Sequence, residues 1–554
     1  MPEQQSIAQP EADRRRRATE HGEGPLLVLG AAGTGKTELL ARRLAHLVAA
    51  GVAAERVLVI GSTRATARLR ERSEALLEGA YEELWIGSWE TLGERLLREH
   101  SEAAGLDPFF DVLGPAERLA MLLDRLDQLP LRRHEIRGNP AGLLARLLSR
   151  VDSLKADRVG ATSLEERARS RESGGAEEAD RESIQRELEF AEFYTAHDRI
   201  LAEAGSLDQG DVFLALDCLL AERPDIRRQI ASHFQYLMVD ELEESSKAQR
   251  ALLEALASDN PNHLYALEGG ELDGWFANLH PAGETLELEQ RFRNPTIRFW
   301  RCGNERAQAQ AVAREVEHLL AGGADPEQVC VLFADPANQG GAVAGAMEER
   351  GISFHLSGPT ALLQRPEVRD AIAWLRVLAD PDDSAAAARA LTRPPIELRP
   401  GDLARLTTIA RRRKLDMVGG CEAALDSPQF QPEARERIQA FLKLYGAASA
   451  AMEERRADVF VRRLIERVGL RRQRLFAAQP EVAERLLGLS RLAELATAWT
   501  RRETHGSTRG FVAYLSAVAE AGVEPAGGEE PPSPGSVQGM AVEAVKGIGF
   551  DHVF

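Results

Sequence analysis

The chain reads as an α/β protein built on parallel sheets, and three features point there. An apolar run, Pro25-Leu26-Leu27-Val28-Leu29, leads directly into Gly30-Ala31-Ala32-Gly33-Thr34-Gly35-Lys36-Thr37, after which Leu40, Leu44 and Leu47 recur at helical spacing. Further short apolar runs alternate with helical stretches. One of them, Tyr236-Leu237-Met238-Val239, ends on the carboxylate pair Asp240-Glu241. Alternation of this kind predicts a parallel sheet covered on both faces, with ligands gathered at the carboxyl ends of its strands.

The segment from Gly30 to Thr37 fits G-x-x-x-x-G-K-[ST] between a strand and a helix, the setting in which that pattern forms a phosphate-binding loop. Glycines let successive backbone N–H groups face phosphate, and the following helix start adds positive potential. Lys36 then reaches the terminal phosphates and Thr37 offers a hydroxyl to Mg²⁺; Glu38 lies in the first helical turn of the same nucleotide site. The chain has only six lysines, so a chance G-K-T at this spacing is improbable.

Composition sets the outer bounds. With 554 residues, 44% of them hydrophobic, the chain can bury more than one core. A net charge of −18 argues against a generally basic nucleic-acid coat, although a local groove can still collect phosphates. Cys218, Cys302, Cys330 and Cys421 are far apart and form no C-x-x-C pair, so neither a disulfide framework nor a zinc site is indicated. The expectation is a cytoplasmic protein without signal peptide or membrane segment.

Taken in order, Arg14 to Arg17 read as a solvated basic run ahead of the first strand. Val57-Leu58-Val59-Ile60 is the second strand, followed by Ser62-Thr63 and a helix through Leu69, Leu76 and Leu77; Leu84-Trp85-Ile86 is the third. From about 92 to 200 the period is helical, interrupted by a charged stretch from Gly160 to Ser183 that reads as a mobile loop. The sheet pattern returns at Tyr236, and His263 to Leu267 gives another strand. In the phosphate-site reading Asp240 holds Mg²⁺ and Glu241 orients and deprotonates the attacking water.

At this point the chain resembles superfamily 1 DNA helicases of the UvrD, Rep and PcrA type, related to RecB and AddA motors. Gly30 to Thr37 is similar to the family's first motif, and Val239-Asp240-Glu241 with Gln249 to its second, V-D-E-F-Q-D-x-x-x-x-Q. Gln290-Arg291-Phe292-Arg293 resembles the N-Y-R segment, which implies Phe292 against the adenine and Arg293, as a catalytic residue, near the γ-phosphate. Gly351 to Phe354, Arg365 to Asp370, Leu375-Arg376 and Pro381 to Asp383 resemble the second motor domain. Val542 to Asp551, with Lys546-Gly547 and Phe550-Asp551, resembles H-x-A-K-G-L-E-F-D.

Several positions depart from that pattern. Glu243 replaces the glutamine after the acidic pair. In the third motif, Leu264 to Ala277, Gly270 stands in place of the nucleotide-sensing glutamine and Phe276 in place of the arginine; Trp275 keeps a base-stacking aromatic. The single-strand contacts correspond to Ser62-Thr63 and to Ser88-Trp89-Glu90, and Ala541, Glu543 and Gly549 replace Thr, His and Glu in the last motif. No glutamine stands at the adenine-reading distance before Pro25.

The resemblance implies a P-loop NTPase with two RecA-like motor domains, each carrying a mostly helical insertion, the second motor incomplete. The first motor domain then takes residues 1–91 and 205–284 with its insertion at 92–204; the second takes 285–379 and 536–554 with its insertion at 380–535. Arginines 411 to 413, 471, 472 and 474 in the second insertion are either duplex contacts or solvated helix faces. The implied activity is an ATP-dependent DNA translocase or helicase of 3′ to 5′ polarity in repair or recombination, stacking single-stranded DNA on Trp89 and Trp275. The alternative is a weakly hydrolysing subunit of a helicase–nuclease complex, whose partner would be a second motor or a nuclease.

Overall fold

The computed structural model describes residues 3–554 apart from 78, 134–139, 174–177, 290–295, 358–360, 469–479, 503–505, 524–534 and 546–547. Each apolar run anticipated above is a strand, because side chains on both faces of a central parallel strand must be apolar. In the first sheet these are β1 (Leu26–Gly30), β2 (Val57–Gly61), β3 (Trp85–Ser88), β6 (Tyr236–Val239) and β7 (His263–Leu267), and an unanticipated edge strand, β8 (Glu284–Leu288), joins them. A separate parallel pair joins β4 (Asp111–Leu113) to β5 (Ser206–Asp208).

The first sheet runs β3-β2-β6-β7-β1-β8, and every pairing in it is parallel. All six carboxyl ends therefore lie along one edge. Alternation along the strands serves two cores. Leu26, Val28, Val57, Val59 and Met238 meet Leu40 and Leu44 of the helix Lys36–Ala49 on one face. Leu27, Leu58, Ile60, Leu237 and Tyr265 meet Trp89, Leu92 and Phe213 on the other. β8 pairs with β1, so it completes this sheet, although four of its five residues follow the boundary expected at 284/285.

The chain divides into two units. One comprises residues 1–114, 125–135 and 146–300, the other 115–124, 136–145 and 301–554. The helix Pro115–Leu123, expected within the first insertion, groups with the second unit, where it packs on the helix Thr508–Ala521. Within the first unit, most of the stretch expected to be a mobile loop is the helix Ala161–Ser173. Leu164 and Ala168, one turn apart, bury its inner side against the helix Glu178–Glu203, a tertiary contact its charged composition conceals.

The second unit holds a parallel sheet ordered β10-β11-β9-β12, with β9 at Val329–Phe333, β10 at Phe354–Leu356, β11 at Val537–Ala541 and β12 at His552–Val553. The returning segment thus inserts β11 between β10 and β9. Gly539 is required there, because a Cβ would collide with the Phe354 ring. Among the described residues, seven helices between Ser384 and Ala521 share a separate apolar core with the helix Pro366–Ala379, in which the Trp374 and Phe441 rings lie with centroids 5.3 Å apart. No helix among the described residues is long and apolar enough to cross a membrane.

Candidate functional site

The loop after β1 is held in shape by its own residues. Gly33 and Gly35 both have φ of 80°, a conformation that costs a Cβ-bearing residue energy. At Gly30 a Cβ would sit 2.5 Å from Thr34 Oγ1, so glycine is needed for close packing. The buried Thr34 hydroxyl donates to the Ala31 carbonyl at 2.8 Å, and its backbone N–H to the same oxygen at 3.2 Å. Ala32 and Gly33 are exposed at the tip.

An outer prop comes from the N-terminal helix Glu3–Glu20. Arg15 donates to the Thr34 carbonyl at 2.6 Å and pairs with the buried Glu11 at 3.1 Å. Its neighbour Arg14 pairs with Glu289 at 2.8 Å, and Arg17 pairs with Glu284 on β8. The basic run is therefore a helix fastened to the loop and the sheet edge, where a solvated segment was expected. Four consecutive arginines were legible only as charge; the acceptors lie about 20 and about 270 positions away in sequence. From the loop helix, Arg43 is buried and donates to the carbonyls of Ala18 and His21 at 3.2 and 2.6 Å, closing the end of that N-terminal helix. Burial lowers its guanidinium to about 10.

Lys36 is folded back onto the loop. Its ammonium donates to the Gly30 carbonyl at 2.5 Å and the Ala31 carbonyl at 3.4 Å, and lies 3.6 Å from a Glu268 carboxylate oxygen. Only 7% of the residue is exposed. Thr37 donates its hydroxyl to Asp240 Oδ2 at 2.7 Å. This contact spans the sheet, since Thr37 follows β1 and Asp240 follows β6. Glu38 points away, paired with Arg42 at 2.6 Å and Arg72 at 2.7 Å; the Arg72 hydrogen bond holds its carboxyl low.

Asp240 is 2% exposed, and burial pushes its carboxyl up to about 6, with the neighbouring Glu241 charge acting in the same direction and the Thr37 hydrogen bond opposing both. Its second oxygen accepts from the Glu241 N–H at 3.1 Å. Glu241 adopts φ 53° and ψ 47°, the left-handed region that non-glycine residues rarely occupy. Its Oε2 is buried without a hydrogen-bond partner, as is Oε2 of Glu243, whose carboxyl burial chiefly raises. A hydroxyl and a carboxylate at hydrogen-bonding distance form an all-oxygen donor set, which suits Mg²⁺ better than softer metals. An aspartate this costly to ionise when buried gains most from a nearby cation.

Glu268 is the site residue that motif reading passed over. β7 lies between β6 and β1, with Leu267 opposite Leu29 and Tyr265 opposite Val239. The residue after β7 therefore stands between the phosphate loop and the acidic pair. A charged residue directly after a buried strand of the same sheet was the available signal, but strand order is what gives it meaning.

The remaining candidates fall into three groups. Phe292 and Arg293 lie outside the described residues, as do Lys546 and Gly547. Ser62 and Ser88 stand at the carboxyl ends of β2 and β3, on the same sheet edge as the nucleotide loop but at its far side. Each accepts from a backbone N–H, of Ala65 and Thr91 respectively, both at 3.3 Å, and so caps the helix that follows; Thr63 begins the first of these.

The aromatics divide. Trp89 is 5% exposed and packed in the sheet core with Leu92 and Leu96, so it offers no open face for a base. The amphipathic helix Trp89–Glu99 turns its first residue inward and leaves Glu90 exposed. Trp275 is half-buried on the helix Asp273–Leu279, donating from Nε1 to Glu254 at 2.7 Å and set edge-on to Tyr265 at 5.5 Å. Phe276 is core. In the second unit Arg411, Arg412 and Arg413 are exposed in the last turn of the helix Pro400–Arg413, while 471, 472 and 474 lie outside the described residues.

Comparison with known proteins matches this architecture over nearly the whole chain. The family model for the UvrD/REP helicase N-terminal domain covers residues 12–267, and that for the UvrD-like helicase C-terminal domain covers 276–554. Among curated proteins, ATP-dependent DNA helicase UvrD1 of Mycobacterium tuberculosis H37Rv is 24% identical over 98% of this chain and 76% of its own length. DNA helicase II of Escherichia coli K12 is 23% identical over 98% of this chain and 78% of its own. ATP-dependent DNA helicase PcrA of Bacillus subtilis 168 is 21% identical over 97% and 76%.

Proposed function

Because the chain belongs to the UvrD-like helicase family, we propose that it is an ATP-hydrolysing DNA helicase that couples turnover of Mg-ATP to 3′ to 5′ movement along single-stranded DNA in repair or recombination. The observation that carries this reading is the Thr37–Asp240 hydrogen bond at 2.7 Å, which joins the phosphate loop to the acidic pair across the sheet. Thr37 and Asp240 would hold Mg²⁺. When bound, the cation supplies charge neutralisation at the phosphates and orients them.

The chain's own residues do the rest. Lys36 turns from the Gly30 and Ala31 carbonyls to the terminal phosphates, where Arg293 joins it by resemblance to the family motif and Phe292 lies against the adenine. The amides from Gly30 to Thr37 bind phosphate oxygens, and Glu241 accepts a proton from the attacking water through a carboxylate that has no other partner at Oε2. Ser62, Thr63, Ser88 and Trp275 are the proposed strand contacts, now without Trp89.

Glu241→Gln tests the division between binding and chemistry. The amide keeps size and hydrogen bonding but cannot take the proton. Mg-ATP affinity should stay within a few-fold while steady-state turnover falls by about 10²-fold or more. Equal turnover in the two proteins would remove Glu241 from the mechanism.

One observation favours weak coupling to DNA, as in a hydrolytically slow subunit beside a second motor or nuclease. Phe276, which stands where the family carries an arginine, is 3% exposed with its ring against Tyr265, and Gly270 has no side chain to sense a phosphate. Single-stranded oligonucleotide should then stimulate ATP turnover by less than about 10-fold. Stimulation of about 10²-fold or more, read by steady-state ATPase with and without the oligonucleotide, would sink the weak-coupling reading.

A further inference from the structure

We infer that Glu268 is an internal competitor for Lys36: its carboxylate holds the ammonium in the nucleotide-free protein and must be displaced before the lysine can engage the terminal phosphates of a nucleotide. The inference rests on the reading of the loop as an ATP site and adds a residue that sets its affinity.

The geometry supplies each part. Lys36 is 7% exposed and among the described residues makes three polar contacts, two to carbonyls of its own loop and one, at 3.6 Å, to Glu268. The carbonyls can fix the ammonium but do not neutralise it. Glu268 does, from the carboxyl end of the strand paired with β1, and roughly half of its side chain remains in water. A carboxylate so placed can swing outward without unpacking anything. Glu243 faces the same charges: burial chiefly raises its carboxyl, the Glu268 charge acts in the same direction and the Lys36 charge opposes both. Negative charge therefore surrounds one ammonium before any phosphate arrives. A phosphate must win Lys36 from Glu268 and also tolerate the displaced carboxylate nearby, and both effects weaken binding of ligands that reach the lysine.

The test is binding of a non-hydrolysable Mg-ATP analogue, followed by steady-state ATPase, for wild type, Glu268→Gln and Glu268→Asp. Removing the charge should tighten the analogue about 5-fold, the scale of a half-exposed ion pair. The ATP KM should fall by a similar factor with kcat within about 2-fold, because the interaction belongs to the ground state. The shorter Glu268→Asp should bind with intermediate affinity. The gain should shrink between low and high salt. Adenosine, which brings no phosphate to Lys36, should bind all three proteins alike. As a control for overall charge, Glu203→Gln on the distant helix Glu178–Glu203 should match wild type.

Unchanged or weaker analogue binding by Glu268→Gln, or equal tightening by Glu203→Gln, overturns the inference. Lys36→Ala separates that failure from failure of the site itself. If Lys36→Ala loses the analogue while Glu268→Gln binds as wild type, the competitor role falls and the ATP site stands. If both bind as wild type, both readings fall.

Discussion

Lys36→Ala is expected to lower ATP turnover by about 10²- to 10³-fold or more, the scale seen when a preorganised charge donor is removed from a transition state. Nucleotide binding should weaken with it. The lysine is not a free solvent-facing side chain, since its ammonium ties down the carbonyls of Gly30 and Ala31. Removing it should therefore also cost about 1–2 kcal/mol of stability, as for a lost charged hydrogen bond whose carbonyl partners can turn to water. Thermal unfolding followed by circular dichroism should show a modest downward shift, with the nucleotide effect far larger. Wild-type affinity for ATP in this variant would show that the loop does not bind phosphate.

Lys155→Met should be the most destabilising change in the first unit, by about 3–5 kcal/mol, because it leaves buried charge unpaired. The Lys155 ammonium is fully buried and donates to Asp198, Asp208 and Asp211 at 2.8, 2.8 and 2.6 Å. Asp208 is also fully buried and, with Asp211, caps the helix Gln209–Glu222. The site of contact is crowded: a Cβ at Gly210 would come within 2.5 Å of Lys155 Cβ. His197, Asp198 and Asp208 bring potential ligand atoms within 4.8 Å of one another, but the ammonium already occupies both aspartates.

Methionine fills the lysine stem and deletes the charge, so the deficit measures electrostatics more than a cavity. Its pH dependence has a sign. Burial and the Asp208 charge raise the Asp211 carboxyl while Lys155 opposes them, so losing the lysine raises it further. A carboxyl raised on folding binds more protons in the native state, and stability falls as pH rises through that window. The stability gap between Lys155→Met and wild type should therefore narrow as pH is lowered from about 8 to about 5. Denaturant unfolding at both pH values reads this, and a gap that widens toward acid would reject the account. Nucleotide binding below the unfolding transition should survive, since the cluster lies outside the phosphate loop.

The amino-acid sequence by itself determined five of the six strands of the first sheet, the loop after β1 and the acidic pair after β6. Those features are local. An apolar run of five residues between a helix and a glycine-rich turn carries its own conformational preference, and G-K-T after such a run carries its own chemistry. Motif order likewise brought the family into view before any contact was known.

Only the tertiary structure decided what those elements meet. Strand order placed β7 between β6 and β1 and so brought Glu268 to Lys36, although they are 232 positions apart in sequence. It put β8 on the first sheet, turned Trp89 into the core instead of toward a base, and set Arg15 against the Thr34 carbonyl. The Lys155 cluster draws one ammonium and three carboxylates from the helices Ala141–Ala156, Glu178–Glu203 and Gln209–Glu222 and from β5. The physical reason is common to all of them: periodicity reports which side of an element is buried, whereas the partner on that side is fixed by long-range pairing and packing that no local pattern encodes.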